Sequence, residues 1–268
     1  MWELRSLGYR TDLFVCAFDG QVEDRGRYVV VRTPSNPLFW WGNFLLYPEA
    51  PDASAADSWQ GDHARELPDI KTKLLTWDRP DGTTGEVEPF LRAGYEIDVS
   101  SLLTATSATL RRSSRHASDV EVVALDADAQ WEGAKRALTN AFAVTTGGSM
   151  EDLRDFMDRQ FARFRAMQER GHGQWDGAVV DGEIAASLGI VRERELGRFQ
   201  LVGTDPKFAR RGVCSTLVHE AGRRALAQGV STLVMSADAT YHAAKVYESV
   251  GFLPTERLVA LLKRPPRA

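Results

Sequence analysis

The stretch Thr204–Glu220 constrains this chain most, because it combines a turn, two adjacent arginines and the start of a helix. A short apolar segment, Arg198–Gly203, precedes it and has the composition of a strand. After Gly212 the apolar residues recur with the spacing of a helix. The local prediction is therefore a strand, a proline-containing turn, two arginines, a glycine and a helix.

This arrangement favours the binding of an anion. Backbone N–H groups at the start of a helix have no partner within the helix, and the positive end of the helix dipole lies there as well. Gly212 lets a phosphate approach the backbone closely, and Arg210 and Arg211 add positive charge. An ordinary strand-to-helix connection with solvated arginines explains this stretch alone equally well, so a second signal is needed.

The second signal is the stretch Ala239–Phe252, which reads as a short helix closed by a glycine at its C-terminus. Together the two stretches resemble the GNAT superfamily of acyl-CoA-dependent N-acyltransferases. The first is similar to that family's pyrophosphate loop, (Gln/Arg)-x-x-Gly-x-(Gly/Ala). The second is similar to its closing Ala-x-x-x-Tyr-(Glu)-x-x-Gly-Phe element. The chain departs from these patterns at Ala209, where Gln or Arg is usual, at Cys214, which replaces the second small residue, and at Thr240, where Asn is common.

The resemblance implies acetyl-CoA as the cosubstrate and names the residues that would contact it. The pantetheine arm would pair with the backbone of Val202 and Thr204. Tyr247 matches the position that often serves as general acid, and a phenol suits this role because its ordinary pKa, near 10, keeps it protonated at neutral pH. The remaining cofactor-binding candidates are Ala209, Arg210, Arg211, Gly212, Val213, Cys214, Ser215 and Thr240.

The general base stays open at this point. The family often carries a Glu in the strand before the loop, but Arg198–Thr204 contains no carboxylate. Nearby candidates are Glu193, Glu195, Asp238 and His242, and a chain of water molecules is a further alternative. The missing carboxylate also permits a second hypothesis, a regulatory protein that binds acyl-CoA without turnover.

The order of the predicted elements indicates an α/β (α+β) fold with two GNAT-like lobes, each a mixed, mostly antiparallel twisted sheet flanked by helices. Residues 119–268 carry the complete order of a GNAT acyltransferase domain, and residues 1–110 a degenerate first copy. The polar, basic residues 111–118 read as a linker. Within the first copy we expect a strand over Leu13–Phe18 and a surface loop over Pro48–Gln60.

Composition limits the partners. The formal net charge of −4 offers no basic surplus, so nucleic acid is not expected. Two cysteines, Cys16 and Cys214, suggest neither a disulfide framework nor a metal cluster, so we expect a cytoplasmic protein without a metal. No apolar run is long enough to span a membrane. We expect the acceptor to be an amine on a small molecule or peptide, and the aromatic residues Phe39–Trp41 permit a homodimer.

Overall fold

The computed structural model describes residues 2–146, 149–239 and 243–265, and their contacts divide them into two compact units. Unit 1 holds the described residues within 1–102, 237–240 and 255–268. Unit 2 holds those within 103–236 and 241–254. The two units therefore interleave along the chain, and the predicted linker, 111–118, falls inside unit 2.

Unit 1 is built on a sheet whose strands stand in the order β1-β2-β3-β4-β11-β5. Strands β3 and β4 run parallel, whereas β1 with β2, β2 with β3, and β4 with β11 pair antiparallel. The strands of this sheet are β1 (Gln21–Asp24), β2 (Val29–Arg32), β3 (Phe44–Tyr47), β4 (Lys73–Trp77), β5 (Glu96–Ala105) and β11 (Leu253–Lys263). The helices of this unit are α1 (Leu7–Cys16), α2 (Ala55–Glu66) and α3 (Glu88–Arg92).

Both faces of this sheet are buried, because successive side chains of a strand point to opposite sides. Val30 of β2 packs in one core cluster with Trp59 of α2 and Phe90 of α3. Its neighbour Val29 packs in a second cluster with Tyr9 of α1. Helices thus cover the sheet on either side, which explains why β2 and β3 are almost continuously apolar.

The strand predicted over Leu13–Phe18 is wrong, because Leu13–Cys16 belong to helix α1 and a turn follows. Tyr9, Leu13 and Cys16 are spaced by four and then three residues, which places these buried side chains on one helix face. The hydroxyl of Ser6 caps the helix by accepting a hydrogen bond of 3.1 Å from the backbone N–H of Tyr9.

Two distant carboxylates satisfy further backbone donors at the start of α1. The buried side chain of Asp78 accepts hydrogen bonds from the N–H groups of Arg5 and Ser6, each at 2.8 Å. Glu256 of β11 accepts one from the N–H of Leu7 at 2.7 Å. Negative charge at the positive end of a helix dipole is stabilising, so this helix depends on residues from far along the chain.

The surface loop predicted over Pro48–Gln60 is also wrong in its second half, where α2 begins at Ala55.

Ahead of β3, Asn43 keeps the chain in a loop, because its side-chain amide donates to the carbonyls of Asn36 (3.1 Å) and Phe39 (2.8 Å).

Unit 2 contains strands in the order β10-β9-β8-β7-β6, antiparallel except for β9 with β10. Helices α4 and α5 place Trp131 and Phe164 against Trp175 of β7. The strands are β6 (Glu121–Ala124), β7 (Gly173–Val180), β8 (Glu183–Glu193), β9 (Leu196–Thr204) and β10 (Thr232–Asp238). The helices are α4 (Asp128–Thr146), α5 (Met150–Glu169), α6 (Val213–Ala227) and α7 (Ala243–Ser249).

The α/β fold class is confirmed, and the predicted element order of the second half holds through α7. The final strand, β11, follows in the predicted order, but its residues 255–263 belong to unit 1 and not to unit 2.

A membrane-spanning helix would have to be long and apolar, and none of the helices among the described residues meets both conditions.

His63 makes the stability of unit 1 depend on pH. Its side chain in α2 is 0% exposed, and neither ring nitrogen has a hydrogen-bond partner among the described residues. Burial, and then the positive charge of Lys73, lowers the pKa of His63 from 6.5 to about 4. The unfolded chain therefore takes up the proton first. The free energy of unfolding should be highest above pH 6.5 and fall by roughly 3 kcal/mol as the pH drops to about 4.

We predict that His63→Leu removes this part of the pH dependence. Urea unfolding at about pH 7 and about pH 4.5 measures it in the parent and in the variant. His172→Gln, at a partly exposed histidine of unit 2, is the control and should keep the parent's slope. An unchanged slope in His63→Leu would contradict the prediction.

Candidate functional site

Strands β9 and β10 separate soon after they meet. Their parallel ladder joins Thr232–Val234 to Leu196–Arg198. β9 continues to Thr204 and β10 to Asp238, and among the described residues this ladder extends no further. The diverging strands leave facing backbone groups that an extended ligand with amide groups can pair with.

A β-bulge in β9 includes Val202, a predicted pantetheine contact, and lies just ahead of Thr204, the other one. Ser187 of β8 pairs with Gly203 and Gly189 pairs with Gln200, so two residues of β9 oppose Leu188. One of these two, Leu201, has a left-handed backbone with φ of 41°. A bulge redirects the following backbone and leaves a residue out of the ladder. It therefore changes the direction of the backbone at Val202 and ahead of Thr204.

The loop after β9 is held by its own side chains. Asp205 accepts hydrogen bonds from the N–H of Lys207 (2.9 Å) and from the side-chain amide of Asn140 of α4 (2.6 Å). The chain then turns through left-handed conformations at Arg210 (φ 64°) and Gly212 (φ 80°). Gly212 is the N-cap of α6 and provides no side-chain hydrogen bond. The first N–H groups of α6 thus remain available to an anion.

The two predicted arginines differ in their surroundings. Arg211 lies 3.6 Å from each of the carboxylates of Asp119 and Asp181, and its guanidinium lies 5.7 Å from the centre of the Phe208 ring. Arg210 is exposed and forms no ion pair with any other residue that the structure describes. Arg210 is therefore the cation of the loop that is available to a bound anion.

The other loop residues support the backbone. Ser215 donates a hydrogen bond of 2.9 Å to the carbonyl of Gly212. Val213 is buried, and Ala209 is extended. Burial raises the pKa of the Cys214 thiol to about 11, and the neighbouring hydroxyl of Thr204 lowers it by less. The thiol is therefore protonated at neutral pH, which fits a packing role.

Tyr247 of α7 is connected to β9 through a row of aromatic rings. Its ring centre lies 6.3 Å from that of Phe252, which lies 5.6 Å from that of Phe199. Phe199 directly follows Arg198, the last residue of β9 that pairs with β10. Tyr247 is 5% exposed, so this packing fixes α7 against the point where the strands separate.

The remaining candidates for cofactor binding and for the general base lie in several parts of the chain. Thr240 and His242 lie outside the described residues. Glu193 pairs with Leu196 at the start of β9, and Glu195 lies in the same turn. Because a strand rises by about 3.3 Å per residue, this turn lies about 26 Å along β9 from Thr204. Glu193 and Glu195 are therefore remote from the loop.

Asp238, the last residue of β10, is described with unit 1. There, burial and then the negative charge of Asp238 raise the pKa of Asp98 of β5. No local sequence pattern points to Asp98, because it lies 140 positions before Asp238 in the chain.

Residues 109–117, here named the crossing segment, pass over the end of α7 and the start of α6. The N–H of Arg111 donates to the carbonyl of Val250 at 3.0 Å, and the N–H of Ala117 donates to the hydroxyl of Thr216 at 2.9 Å. Between these contacts the carbonyl of Arg115 lies against Gly212, so closely that a Cβ there would be 1.9 Å from its oxygen. The sequence presents this segment only as polar and basic.

A family model described as "Acetyltransferase (GNAT) domain" matches residues 104–243, just over half of the chain. The chain belongs to the GNAT acetyltransferase family. The match includes the separating strands and the loop that begins α6, and it confirms the resemblance. A comparison with curated protein sequences finds no match for this GNAT chain.

Solved structures share the fold at low sequence identity. A conserved protein of unknown function from Staphylococcus epidermidis aligns over 92% of this GNAT chain and 95% of its own, with a TM-score of 0.73 and 15% identity. A GCN5-related N-acetyltransferase from Kribbella flavida aligns over 98% and 97%, with a TM-score of 0.65 and 13% identity. A tandem GNAT protein from the clavulanic acid biosynthesis pathway aligns over 96% and 88%, with a TM-score of 0.53 and 14% identity.

We predict that Gly212→Ala destabilises the protein more than Gly229→Ala does. Both glycines have positive φ, 80° and 98°, but nothing lies within 4 Å of a Cβ built at Gly229. Gly229→Ala should cost about 1 kcal/mol through φ alone. The contact with Arg115 should raise the cost of Gly212→Ala to about 2 kcal/mol or more. Urea unfolding of the two variants measures the difference, and equal costs would show that the crossing segment does not press on Gly212.

Proposed function

We propose that this chain is an acyl-CoA-dependent N-acyltransferase that moves an acetyl group from acetyl-CoA to an amine. The strongest support for this function is a series of structural features that follow one another along unit 2. There, a strand leaves its parallel partner after three paired residues and leads, through a bulge, to a helix start without a side-chain cap. Together these features suit a long ligand that has amides at one end and phosphates at the other.

In this proposal the pantetheine amides pair with the backbone of Val202 and Thr204. The pyrophosphate lies on N–H groups between Arg210 and Ser215, with the charge of Arg210 beside it. Arg211 acts indirectly, because its contacts to Asp119 and Asp181 hold the loop in place.

The reaction is direct transfer. The nitrogen of a neutral amine attacks the thioester carbonyl, the C–N bond forms, and the C–S bond breaks as the thiolate leaves. We assign Tyr247 as the acid that protonates this thiolate, which is supported by its place in the row of rings that ends at Phe199. The attacking nitrogen loses one proton to a base other than Glu193 or Glu195, since both lie at the far end of β9. This proton is released to solvent, and a proton taken up from solvent restores the phenol of Tyr247.

The acceptor in this proposal is an amine on a small molecule or a peptide. We also propose a cytoplasmic location and no nucleic-acid partner, supported by two cysteines in the whole chain and a net charge of −4.

We predict that acetyl-CoA binds and that Arg210→Ala weakens binding about tenfold, the effect of one exposed charge-assisted contact to phosphate. Isothermal titration calorimetry measures both. Arg165→Ala is the control, because Arg165 is a comparably exposed arginine on α5 that pairs with Asp128 and Glu169 away from the loop. It should bind acetyl-CoA as the parent does.

Two results would redirect this assignment. Failure of acetyl-CoA, CoA and longer acyl-CoAs to bind would exclude the proposed cofactor site. Binding without acetyl transfer to a broad panel of amines would favour the second candidate, a regulatory protein that binds acyl-CoA. The substituted loop residues Ala209 and Cys214 and the lack of a carboxylate in Arg198–Thr204 are the observations that support that candidate.

We predict that Tyr247→Phe lowers kcat by about a hundredfold or more while the Kd for acetyl-CoA stays unchanged. The phenyl ring preserves the packing on Phe252 and removes the transferable proton. Steady-state kinetics with an accepted amine, together with calorimetry, separate the two quantities. An unchanged kcat would remove Tyr247 from the mechanism.

A further inference from the structure

Two histidines and a glutamate meet where the crossing segment lies on α6. His116 comes from the crossing segment, and His219 and Glu220 are consecutive residues of the helix. One ligand atom from each of the three lies within 4.8 Å of the other two, and Nδ1 of His219 lies 3.0 Å from Oε1 of Glu220. These residues play no part in the acyl-CoA site proposed above.

Two members of the cluster, His116 and Glu220, line a cavity of about 470 Å³ within unit 2, which lies between residues 112–122 and α6. The Nδ1 atom of His116 is buried and has no hydrogen-bond partner among the described residues. A buried polar atom without a partner is costly, and a bound ligand at this place would satisfy it.

Three arginines also line this cavity, and each has a carboxylate partner. Arg224 lies 3.1 Å from the buried carboxylate of Asp176. Arg223 donates to Oε2 of Glu220 at 3.0 Å, and Arg112 lies 3.7 Å from Oε1 of the same residue. The side chains of Arg112 and Arg223 are 67% and 60% exposed, so both can turn toward water. Arg223 can hold one oxygen of Glu220 while the other remains available as a ligand.

We propose that His116, His219 and Glu220 form a binding site for a divalent transition-metal ion of the zinc type. Two imidazoles and one carboxylate, with a fourth position open to water, are a ligand set that Zn²⁺ accepts. Tetrahedral ligand atoms at zinc distances lie about 3.4 Å apart. The present separations, all within 4.8 Å, are of this order, so an ion would draw the three side chains into ligand distance.

The bound ion would tie the crossing segment to α6, since one ligand comes from the segment and two from the helix. The same segment presses on Gly212 through the carbonyl of Arg115. Zinc would therefore stabilise the loop that begins α6 without touching the acyl group or the acceptor. The cysteine content of the sequence predicts no metal, and no local pattern relates His116 to His219, which lie 103 positions apart.

The test uses the full chain without an affinity tag, stripped of metal by a chelator and titrated with ZnCl₂ in the absence of acyl-CoA. We expect one equivalent of zinc to bind and to raise the Tm. His116→Ala, Glu220→Gln and His219→Ala should each weaken binding at least about tenfold. The control His172→Ala, at a histidine outside the cluster, should bind zinc as the parent does. His116→Ala is decisive, because its side chain lies on the surface segment and its loss leaves the helix intact.

Trypsin provides a second readout. Cleavage after Arg112 and Arg115 should slow when zinc is added to the parent and should not change in His116→Ala. Lack of zinc binding, zinc affinity in His116→Ala equal to that of the parent, or binding of inorganic phosphate in place of zinc would each overturn the proposal. None of these results depends on acyl-CoA binding, so the zinc site and the acyl-CoA site are tested independently of each other.

Discussion

The separation of β9 from β10 is the constraint on which the candidate site depends. Parallel strands that stay paired offer nothing to a ligand, because their backbone groups are satisfied by each other. Here the bulge at Leu201 turns β9, and the ladder ends at Arg198. The rings of Phe199, Phe252 and Tyr247 fill the space beside that point, so the opening is supported by packing. This one departure from regular pairing positions the loop after β9, the start of α6 and helix α7.

Both proposed sites of unit 2 involve α6, and the crossing segment connects them. Residues 109–117 contact Val250, Gly212 and Thr216 in turn, so a polar stretch without regular structure is held at several points. A helix start with an open anion position needs a loop of fixed shape, since the N–H groups must converge. Asp205 and Ser215 hold the loop from within, and the segment holds it from outside. The loop's geometry is thus shared between neighbouring and distant parts of the chain.

Local signals predicted the element order of the second half, the arginine loop and the short helix that carries Tyr247. These succeed because spacing, glycine and capping residues act over a few positions. Leu13–Phe18 misled because an apolar run shorter than two helical turns fits a strand as well as a helix. The bulge at Leu201, the contact of Arg115 with Gly212 and the meeting of His116 with His219 join parts of the chain that no local pattern relates. Likewise, no local pattern shows that β11 stands between β4 and β5.

The position of β11 has a consequence for how the chain acquires its structure. Chains emerge from the ribosome N-terminus first, and domains that are continuous in sequence commonly fold in that order. In this protein the strand between β4 and β5 follows every other described element, and its Glu256 satisfies donors at the start of α1. The first hundred residues therefore emerge well before the strand that completes their sheet. Until it arrives, the edge of β4 is exposed to pairing with other chains, so a chaperone that shields this edge during synthesis would favour correct folding.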